Sequence, residues 1–297
     1  MIETLYLFLL CLMIYLFWLF IRRPANWLAA ALGGAAGLAV LARPPALFLV
    51  PVFLYHFWRA KRWRSAVLLV VVLLAIFIPW TWRNWQVYGE PMPFGAAGNF
   101  NFWIGNYHGG NGEQSPTEEH IQFAAKYGVR EINSESLRQF KIFLRDYPAE
   151  FLKLTLLRVN KYFSIFRPMG FWFYLRGPGQ FLFILSSAVT SVLVFILALA
   201  GILKIVATRD KRLYYLLALT VMTPLIVFIT VVETRYRFPI YPLLAIFAAY
   251  FIVSLGSRFK WRSEKLLWLA VALIFLNGAV DLFLNIGLIK ERLNGFF

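Results

Sequence analysis

The chain has 297 residues, of which 61% are hydrophobic and 19% aromatic, and its formal net charge is +16. This composition leaves too little polar surface to cover a water-soluble globule, so it excludes that class and predicts an integral membrane protein of the all-α, polytopic helix-bundle class. The basic residues fall in short clusters between apolar runs instead of along one polar face, which argues against a nucleic-acid partner.

Eight apolar runs approach the length that a helix needs to cross a bilayer, about 20 residues, so we expect about eight crossings. Pro44 and Pro45 remove two backbone donors between the second and third runs, which predicts a tilted pair or a re-entrant hairpin there. The runs lie at about 4–21, 27–42, 46–58, 65–82, 180–206, 213–232, 238–256 and 266–286.

The runs divide the chain into membrane helices at 1–82, a large polar segment at 83–179, and further membrane helices at 180–297. Four basic clusters fall on alternate loops and therefore on one side, which the positive-inside rule makes cytoplasmic. The polar segment is then exterior, which means periplasmic for a bacterial inner membrane. The clusters are Arg22 and Arg23; Arg59, Lys61, Arg62 and Arg64; Lys204, Arg209, Lys211 and Arg212; and Arg258, Lys260, Arg262 and Lys265.

This orientation places the amino terminus outside, preceded only by Met-Ile-Glu. We take this as an indication that one or more preceding helices are absent from this chain. The alternative is a natural short start on the exterior side, which length alone does not exclude.

Short helices are predicted in the polar segment. Ser115, followed by proline and by glutamate at the third position, is typical of a helix start, and Gly128 of a stop, so we expect a helix at 116–127. Asn133 or Ser134 is expected to cap a second helix that ends at Asp146.

A third helix follows Pro148, where apolar residues recur at three- and four-residue steps. Lys153, Arg158 and Lys161 flank this apolar stripe, which predicts a helix along the membrane surface. These basic residues suit either anionic lipid headgroups or a role in substrate binding.

Residues 79–85 (Pro-Trp-Thr-Trp-Arg-Asn-Trp) stand at the exterior mouth of the fourth run. The tryptophans are typical interface anchors. Arg83 is expected to hold a phosphate through two parallel hydrogen bonds, with Asn84 beside it for a sugar or acceptor. Arg43, between two apolar runs, is a further candidate for the phosphate, although an isolated arginine there can simply extend its charge to the interface.

Residues 98–106 (Gly-Asn-Phe-Asn-Phe-Trp-Ile-Gly-Asn) combine amides with aromatic rings. Amides donate to and accept from hydroxyl groups, and aromatic faces cover the apolar side of a sugar ring, so Asn99, Asn101 and Asn106 are candidates for sugar or acceptor binding. The alternative is a turn-rich loop whose Asn and Gly residues serve the backbone.

Glu233, Arg235, Tyr236 and Arg237 form a charged cluster between two apolar runs. Two arginines on the exterior side run against the positive-inside bias, which favours phosphate binding over a simple turn. Tyr236, which lies between these two arginines in the sequence, is a candidate for sugar or acceptor binding.

Metal and disulfide chemistry receive little support. Cys11 is the one cysteine, so neither a disulfide nor a cysteine-based metal site is expected. His56, His108 and His120 are scattered along the chain, and no metal site or cofactor is predicted, with a requirement for a divalent metal left open.

These motifs, in this order, resemble the multi-spanning membrane glycosyltransferases of the GT-C type, in the branch of protein O-mannosyltransferases and lipid A aminoarabinose transferases. The likeness runs from about residue 27 to 256. It rests on residues 37–44 (Gly-Leu-Ala-Val-Leu-Ala-Arg-Pro), Pro79-Trp80 with Arg83-Asn84, Ile104-Gly105-Asn106, and Arg235-Tyr236-Arg237 with Pro239 and Pro242.

The resemblance implies an inverting transfer of a sugar from a polyprenyl-phosphate donor to an acceptor at the exterior face, in a membrane-lipid environment. A phosphate leaving group needs cationic stabilisation as its bond to the sugar breaks. The implied phosphate-binding residues are Arg83, Arg235 and Arg237, with Arg43 behind them.

The chain departs from the family in its acidic residues. Such enzymes place a catalytic carboxylate in the first exterior loop, where this chain offers only Glu3. Glu233 is a weak candidate for the base because its neighbouring arginines disfavour protonation. The only aspartates are Asp146, Asp210 and Asp281, of which Asp210 is cytoplasmic in this topology and Asp281 lies within the last apolar run. We expect the base on the missing part, which would leave this chain inactive by itself. A lipid-linked saccharide transporter and a non-catalytic membrane subunit are the alternatives, and the sequence does not predict the oligomeric state.

Overall fold

The structure is a computed structural model that describes residues 2–93, 98–165, 178–210, 213–255 and 260–287. Two 3-10 helices, Pro44–Leu49 and Thr234–Ile240, accompany the α-helices of these ranges. The all-α prediction is confirmed within them. The helices are α1 (Ile2–Arg22), α2 (Asn26–Ala42), α3 (Val50–Arg59), α4 (Trp63–Tyr88), α5 (Phe100–Gly105), α6 (Glu118–Lys126), α7 (Val129–Asp146), α8 (Pro148–Phe163), α9 (Pro178–Thr208), α10 (Tyr214–Met222), α11 (Leu225–Ile229), α12 (Tyr241–Leu255) and α13 (Lys260–Leu284).

Some sequence interpretations fall outside the described residues. They concern the end of the polar segment at 166–177 and the basic residues Lys211, Arg212 and Arg258.

Five segments of the described chain are long and apolar enough to cross a membrane, which indicates an integral membrane protein. The expected count of about eight is not reached there, because the other apolar runs fold as shorter pieces. The extended backbone of Arg43 and the two prolines after it end α2, and Pro224, which has no N–H to donate, separates α10 from α11. The five segments are Ile2–Arg22, Trp63–Tyr88, Leu185–Thr208, Arg235–Leu255 and Glu264–Leu284.

The chain forms two compact units. The first consists of Met1–Leu152 with Ala218–Val231, and the second of Lys153–Leu217 with Val232–Phe297. In the first unit α2 packs against both α1 and α4, and in the second α9 packs against both α12 and α13. Small residues allow these close approaches, since a Cβ at Gly201 of α9 would lie 2.2 Å from the Phe247 carbonyl oxygen of α12.

Two adjacent glycines of α2 give a matched test of its packing on α4. A Cβ at Gly33 would lie 2.5 Å from the Leu69 carbonyl oxygen, whereas at Gly34 the nearest atom, Val72 Cγ1, is 3.9 Å away. We expect Gly33→Ala to destabilise the protein by about 1–3 kcal/mol through overpacking. Gly34→Ala should be neutral, or stabilising by about 0.5–1 kcal/mol through helix propensity. Thermal unfolding in detergent measures both, and equal midpoints for the two variants would contradict this helix contact.

The short helices of the polar segment differ from the prediction at their starts. α6 begins after Thr117 instead of Ser115, since the Thr117 hydroxyl accepts from the backbone N–H of His120 in a capping box. α7 begins directly after Gly128, so the predicted cap at Asn133 or Ser134 is wrong. The Ser134 hydroxyl instead donates to the Glu131 carbonyl within the helix.

α8 confirms the helix predicted after Pro148, but two of its basic residues do not face outward. Arg158 is 0% exposed and Lys161 is 2% exposed, so the interpretation of these two as headgroup contacts is wrong. Burial lowers the pKa of Arg158 to about 10, which leaves its guanidinium charged at neutral pH. Lys153 is exposed, and its contact with a lipid headgroup stays a prediction.

Candidate functional site

An apolar groove lies along α4 in the first unit and encloses about 520 Å³. Its lining is aliphatic and aromatic, and the part that holds Trp82, Trp85, Pro91 and Pro93, towards the carboxyl end of α4, is called its upper end. Several of the wall residues are exposed at a surface that belongs to a membrane-spanning helix, including Leu74, Ile78 and Trp82. The lining residues are Leu47, Leu73, Leu74, Phe77, Ile78, Thr81, Trp82, Trp85, Pro91 and Pro93.

Arg83 and Asn84 stand in sequence between the two tryptophans of this groove. Arg83 Nη1 donates to Asn84 Oδ1 at 3.0 Å, and Asn84 Nδ2 donates to the Met92 carbonyl at 2.8 Å. Because Met92 lies between the two lining prolines, buried Asn84 fixes the upper wall of the groove to α4. The exposed guanidinium is also held over Trp80 and Tyr88, with 5.5 and 5.8 Å from Arg83 Cζ to the ring centroids.

Arg43 forms an ion pair with Glu3, a partner that the sequence analysis did not assign to it. Both side chains are partly exposed, at 30% and 39%. Arg43 precedes the 3-10 helix that carries Leu47 of the groove wall. The two partners are 40 positions apart in the sequence, which explains why no local pattern indicated the pair.

The three asparagines predicted to bind sugar or acceptor differ in their exposure and contacts. Asn106 is 0% exposed, and its Nδ2 donates to the carbonyls of Phe102 and Ile229 at 2.9 and 3.1 Å. This amide therefore anchors the end of α5 to the end of α11. Asn99 Nδ2 donates to the Asn133 carbonyl at 3.3 Å, and Asn101 lies half-buried on α5. Their binding of sugar or acceptor stays a prediction.

In the second unit, the 3-10 helix Thr234–Ile240 carries the other predicted cluster. Arg235 pairs with Glu233, and the two side chains are 23% and 15% exposed. The Arg235 guanidinium also lies over the Tyr236 ring, with 5.4 Å from Cζ to the centroid. The Tyr236 carbonyl accepts from the Tyr162 hydroxyl of α8 at 3.3 Å.

Arg237 has a different environment from Arg235. It is 2% exposed, and its Nη2 donates to the carbonyls of Lys161 and Ser164 at 2.7 and 2.9 Å. A cation at a helix carboxyl end satisfies carbonyls that have no partner in the helix. These contacts make Arg237 a cap for α8, and the sequence analysis did not foresee this role.

His120 is buried in the polar segment and bonds to Thr117 there. The Thr117 backbone N–H donates to its Nδ1 at 3.0 Å, and the ring lies against Trp103 with 4.5 Å between centroids. Burial lowers the pKa of His120, an effect that Glu119 partly offsets. The folded segment therefore favours neutral His120, and the stability this provides is complete above about pH 6.5 and is lost as pH falls through the lowered value.

We expect amide hydrogen exchange in α6 to accelerate between pH 7 and pH 5, after correction for the intrinsic rate. His120→Asn keeps an acceptor for Thr117 and does not titrate, so its corrected exchange should change less over the same range. Equal pH dependence in the two proteins would contradict the role given to His120.

Metal binding was left open by the sequence. Over the described ranges, no group of three or more His, Cys, Asp or Glu side chains is arranged to hold a metal ion. The polar groups of the predicted site residues include guanidinium and amide groups, which can bind an anion and hydroxyl groups.

No protein-family model, curated protein or solved structure matches the chain.

Proposed function

We propose that this chain is a membrane glycosyltransferase that takes a sugar from a polyprenyl-phosphate donor and transfers it to an acceptor at the exterior face. The observation that supports it best is the apolar groove of α4, whose lining residues Trp82 and Trp85 flank Arg83 in the sequence. An isoprenoid chain is apolar along its whole length and ends in a phosphate, so it needs an apolar groove and a cation in that order.

The position of the groove favours a lipid as its occupant. It lies on a helix long and apolar enough to span a membrane, and the described lining residues carry no charge. Trp82 and Trp85 stand at its upper end, and tryptophan prefers the depth of the lipid headgroups. A carrier lipid in the groove would therefore have its phosphate near Arg83.

The contacts of Arg83 suit phosphate binding. A guanidinium can give two parallel hydrogen bonds to phosphate, and Asn84 together with two aromatic rings restricts the side chain before a ligand arrives. Arg43 with Glu3, and Arg235 with Glu233, are secondary candidates because each already has a carboxylate partner.

The proposed orientation follows the basic clusters, with the polar segment between α4 and α9 on the exterior side. Nucleotide sugars are confined to the cytoplasm, so a transferase that acts outside needs a lipid-linked donor. This agrees with a phosphate site at the exterior end of α4.

The test uses the full chain in liposomes with radiolabelled polyprenyl-phosphate-linked hexoses and pentoses, and a cell-envelope extract as the source of acceptor. We expect label to leave the lipid and appear on an acceptor, with polyprenyl phosphate as the second product, a result that would also overturn the expectation that this chain is inactive by itself. Movement of the intact donor between leaflets, without release of sugar, would contradict a transferase and favour a lipid-linked saccharide transporter.

A further inference from the structure

Two loops of the first unit carry six basic residues, and the fold brings these loops together. Phe20 near the end of α1 packs on Phe57 near the end of α3, with 4.5 Å between ring centroids. The Ser65 hydroxyl near the start of α4 donates to Asn26 Oδ1 at the start of α2, at 2.9 Å. The loop between α1 and α2 therefore lies next to the loop between α3 and α4. The six residues, here called the basic patch, are Arg22, Arg23, Arg59, Lys61, Arg62 and Arg64.

The basic patch is not neutralised by its own unit. All six side chains are exposed, and none of them forms an ion pair in the described part of the chain. The sequence contains no Asp or Glu between Glu3 and Glu90. The Arg22 guanidinium lies instead over the Trp18 ring, with 4.5 Å from Cζ to the centroid. Six neighbouring positive charges are therefore available to an anion from outside the unit.

The turn after α3 holds a charge where glycine is usual. The Arg62 N–H donates to the Phe57 carbonyl at 2.8 Å, and the Lys61 N–H to the Trp58 carbonyl at 3.0 Å. These two bonds form a Schellman helix end, in which the left-handed residue is most often glycine. Lys61 occupies this position with a φ of +54°. Because a left-handed backbone costs free energy for a residue with a Cβ, turn geometry does not account for the lysine.

The basic patch borders two helices that can span a membrane. Arg22 is the last residue of the segment Ile2–Arg22, and Arg62 directly precedes the segment that begins at Trp63. Exposed tryptophans accompany the charges, and tryptophan prefers the depth of the lipid headgroups. The cations of the patch are therefore expected at the depth of the lipid phosphates. The tryptophans are Trp18, Trp27, Trp58 and Trp63.

We propose that the basic patch binds the phosphate groups of anionic phospholipids, such as phosphatidylglycerol, in the leaflet that it faces. Clusters of Lys and Arg beside a membrane span attract anionic lipids, and a guanidinium can give two parallel hydrogen bonds to a phosphate. The exposed tryptophans offer apolar surface to the lipid chains. This inference goes beyond the proposed function and does not depend on it, since the patch and the upper end of the groove lie at opposite ends of α4.

Fluorescence titration of the full chain in detergent tests the lipid preference of the wild type. The probes are pyrene-labelled phosphatidylglycerol and phosphatidylcholine with equal acyl chains. We expect phosphatidylglycerol to bind about tenfold more tightly or better, and the preference to shrink as salt rises, since salt screens exposed charges. Inorganic phosphate should not displace the lipid, because it lacks the acyl chains. Equal affinities for the two lipids overturn the proposal, and binding of single-stranded RNA without a lipid preference would assign the patch to a nucleic acid.

A double variant tests whether the basic patch is the site. Arg23→Gln with Arg62→Gln should weaken phosphatidylglycerol binding about thirtyfold, since each cation near the surface contributes to the attraction. Lys126→Gln with Lys141→Gln is the matched control, because it removes two charges from exposed residues of the polar segment. It should stay within about twofold of the wild type, since the 26 residues of α4 far exceed a Debye length of roughly 10 Å. Equal losses in the two double variants overturn the proposal.

Lys61→Gly separates binding from stability. Glycine suits the left-handed position, so the midpoint of thermal unfolding should be equal to or higher than that of the wild type. The affinity for phosphatidylglycerol should nevertheless fall about fivefold through loss of one cation. A residue retained only for the turn would show no loss of affinity. An unchanged affinity in Lys61→Gly, or a fall in its unfolding midpoint, contradicts the role given to this lysine and leaves the proposed function standing.

Discussion

Arg83→Ala is expected to weaken binding of polyprenyl phosphate about a hundredfold. The side chain is exposed, follows Trp82 of the groove in the sequence, and is held by Asn84 and by two aromatic rings. Loss of two hydrogen bonds to a charged group corresponds to roughly 3 kcal/mol. Scintillation proximity or fluorescence titration with a short-chain polyprenyl phosphate measures the effect. Arg83→Lys should recover only part of it, because an ammonium group cannot make the two parallel bonds.

Arg64→Ala is the control for this prediction. Arg64 lies on the same helix, is also exposed, and belongs to a basic cluster at the other end of α4. Its removal should leave the affinity within about twofold of the wild type, since charges separated by more than a Debye length of roughly 10 Å interact weakly. Equal losses in the Arg64 and Arg83 variants would mean that binding depends on overall charge and not on the groove.

Arg237→Ala is expected to destabilise the protein by about 3 kcal/mol or more. The buried guanidinium donates to two carbonyls at the end of α8 and lies over Phe195, with 5.8 Å from Cζ to the ring centroid. Bonds to a charged donor contribute about 1.5–3 kcal/mol each, and the substitution leaves both carbonyls without this donor. The midpoint of thermal unfolding in detergent is the measurement.

Arg235→Ala, two residues away, is the variant with which Arg237→Ala is compared. Its side chain is partly exposed and pairs with Glu233, so its loss should shift the midpoint much less, and any effect should fall on donor binding. A midpoint for Arg237→Ala as high as that of Arg235→Ala would contradict the capping role.

The different burial of Arg235 and Arg237 could not be predicted from the sequence. A 3-10 helix has three residues per turn, so side chains two positions apart point in different directions. The sequence places both arginines in one charged cluster, but their directions depend on how the segment meets α8. The cap on Lys161 and Ser164 crosses more than 70 residues of chain.

The membrane helices were predictable where the apolar pattern was long and uninterrupted, as in α1 and α4. They were less so where prolines intervene, since composition does not say whether a proline bends a helix or ends it. Pro79 lies inside α4 without ending it, whereas Pro224 separates α10 from α11.

In the candidate site, contacts between sequence neighbours were predictable, whereas contacts between residues distant in the sequence were not. Arg83 and Asn84 are neighbours in sequence and bond directly, so their association was predictable. The pair Arg43 with Glu3 joins residues 40 positions apart, and single-sequence patterns carry no signal for such contacts.

Photo-crosslinking with a polyprenyl phosphate that carries a diazirine near its phosphate tests the central claim most directly. The full chain in liposomes is labelled, digested and mapped by mass spectrometry. We predict that label concentrates at the upper end of the groove, around Trp82, Trp85 and the segment 91–93, and that excess unlabelled polyprenyl phosphate suppresses it. Label spread evenly over the lipid-exposed faces of α1, α4 and α13, without competition, would contradict a carrier-lipid site on α4.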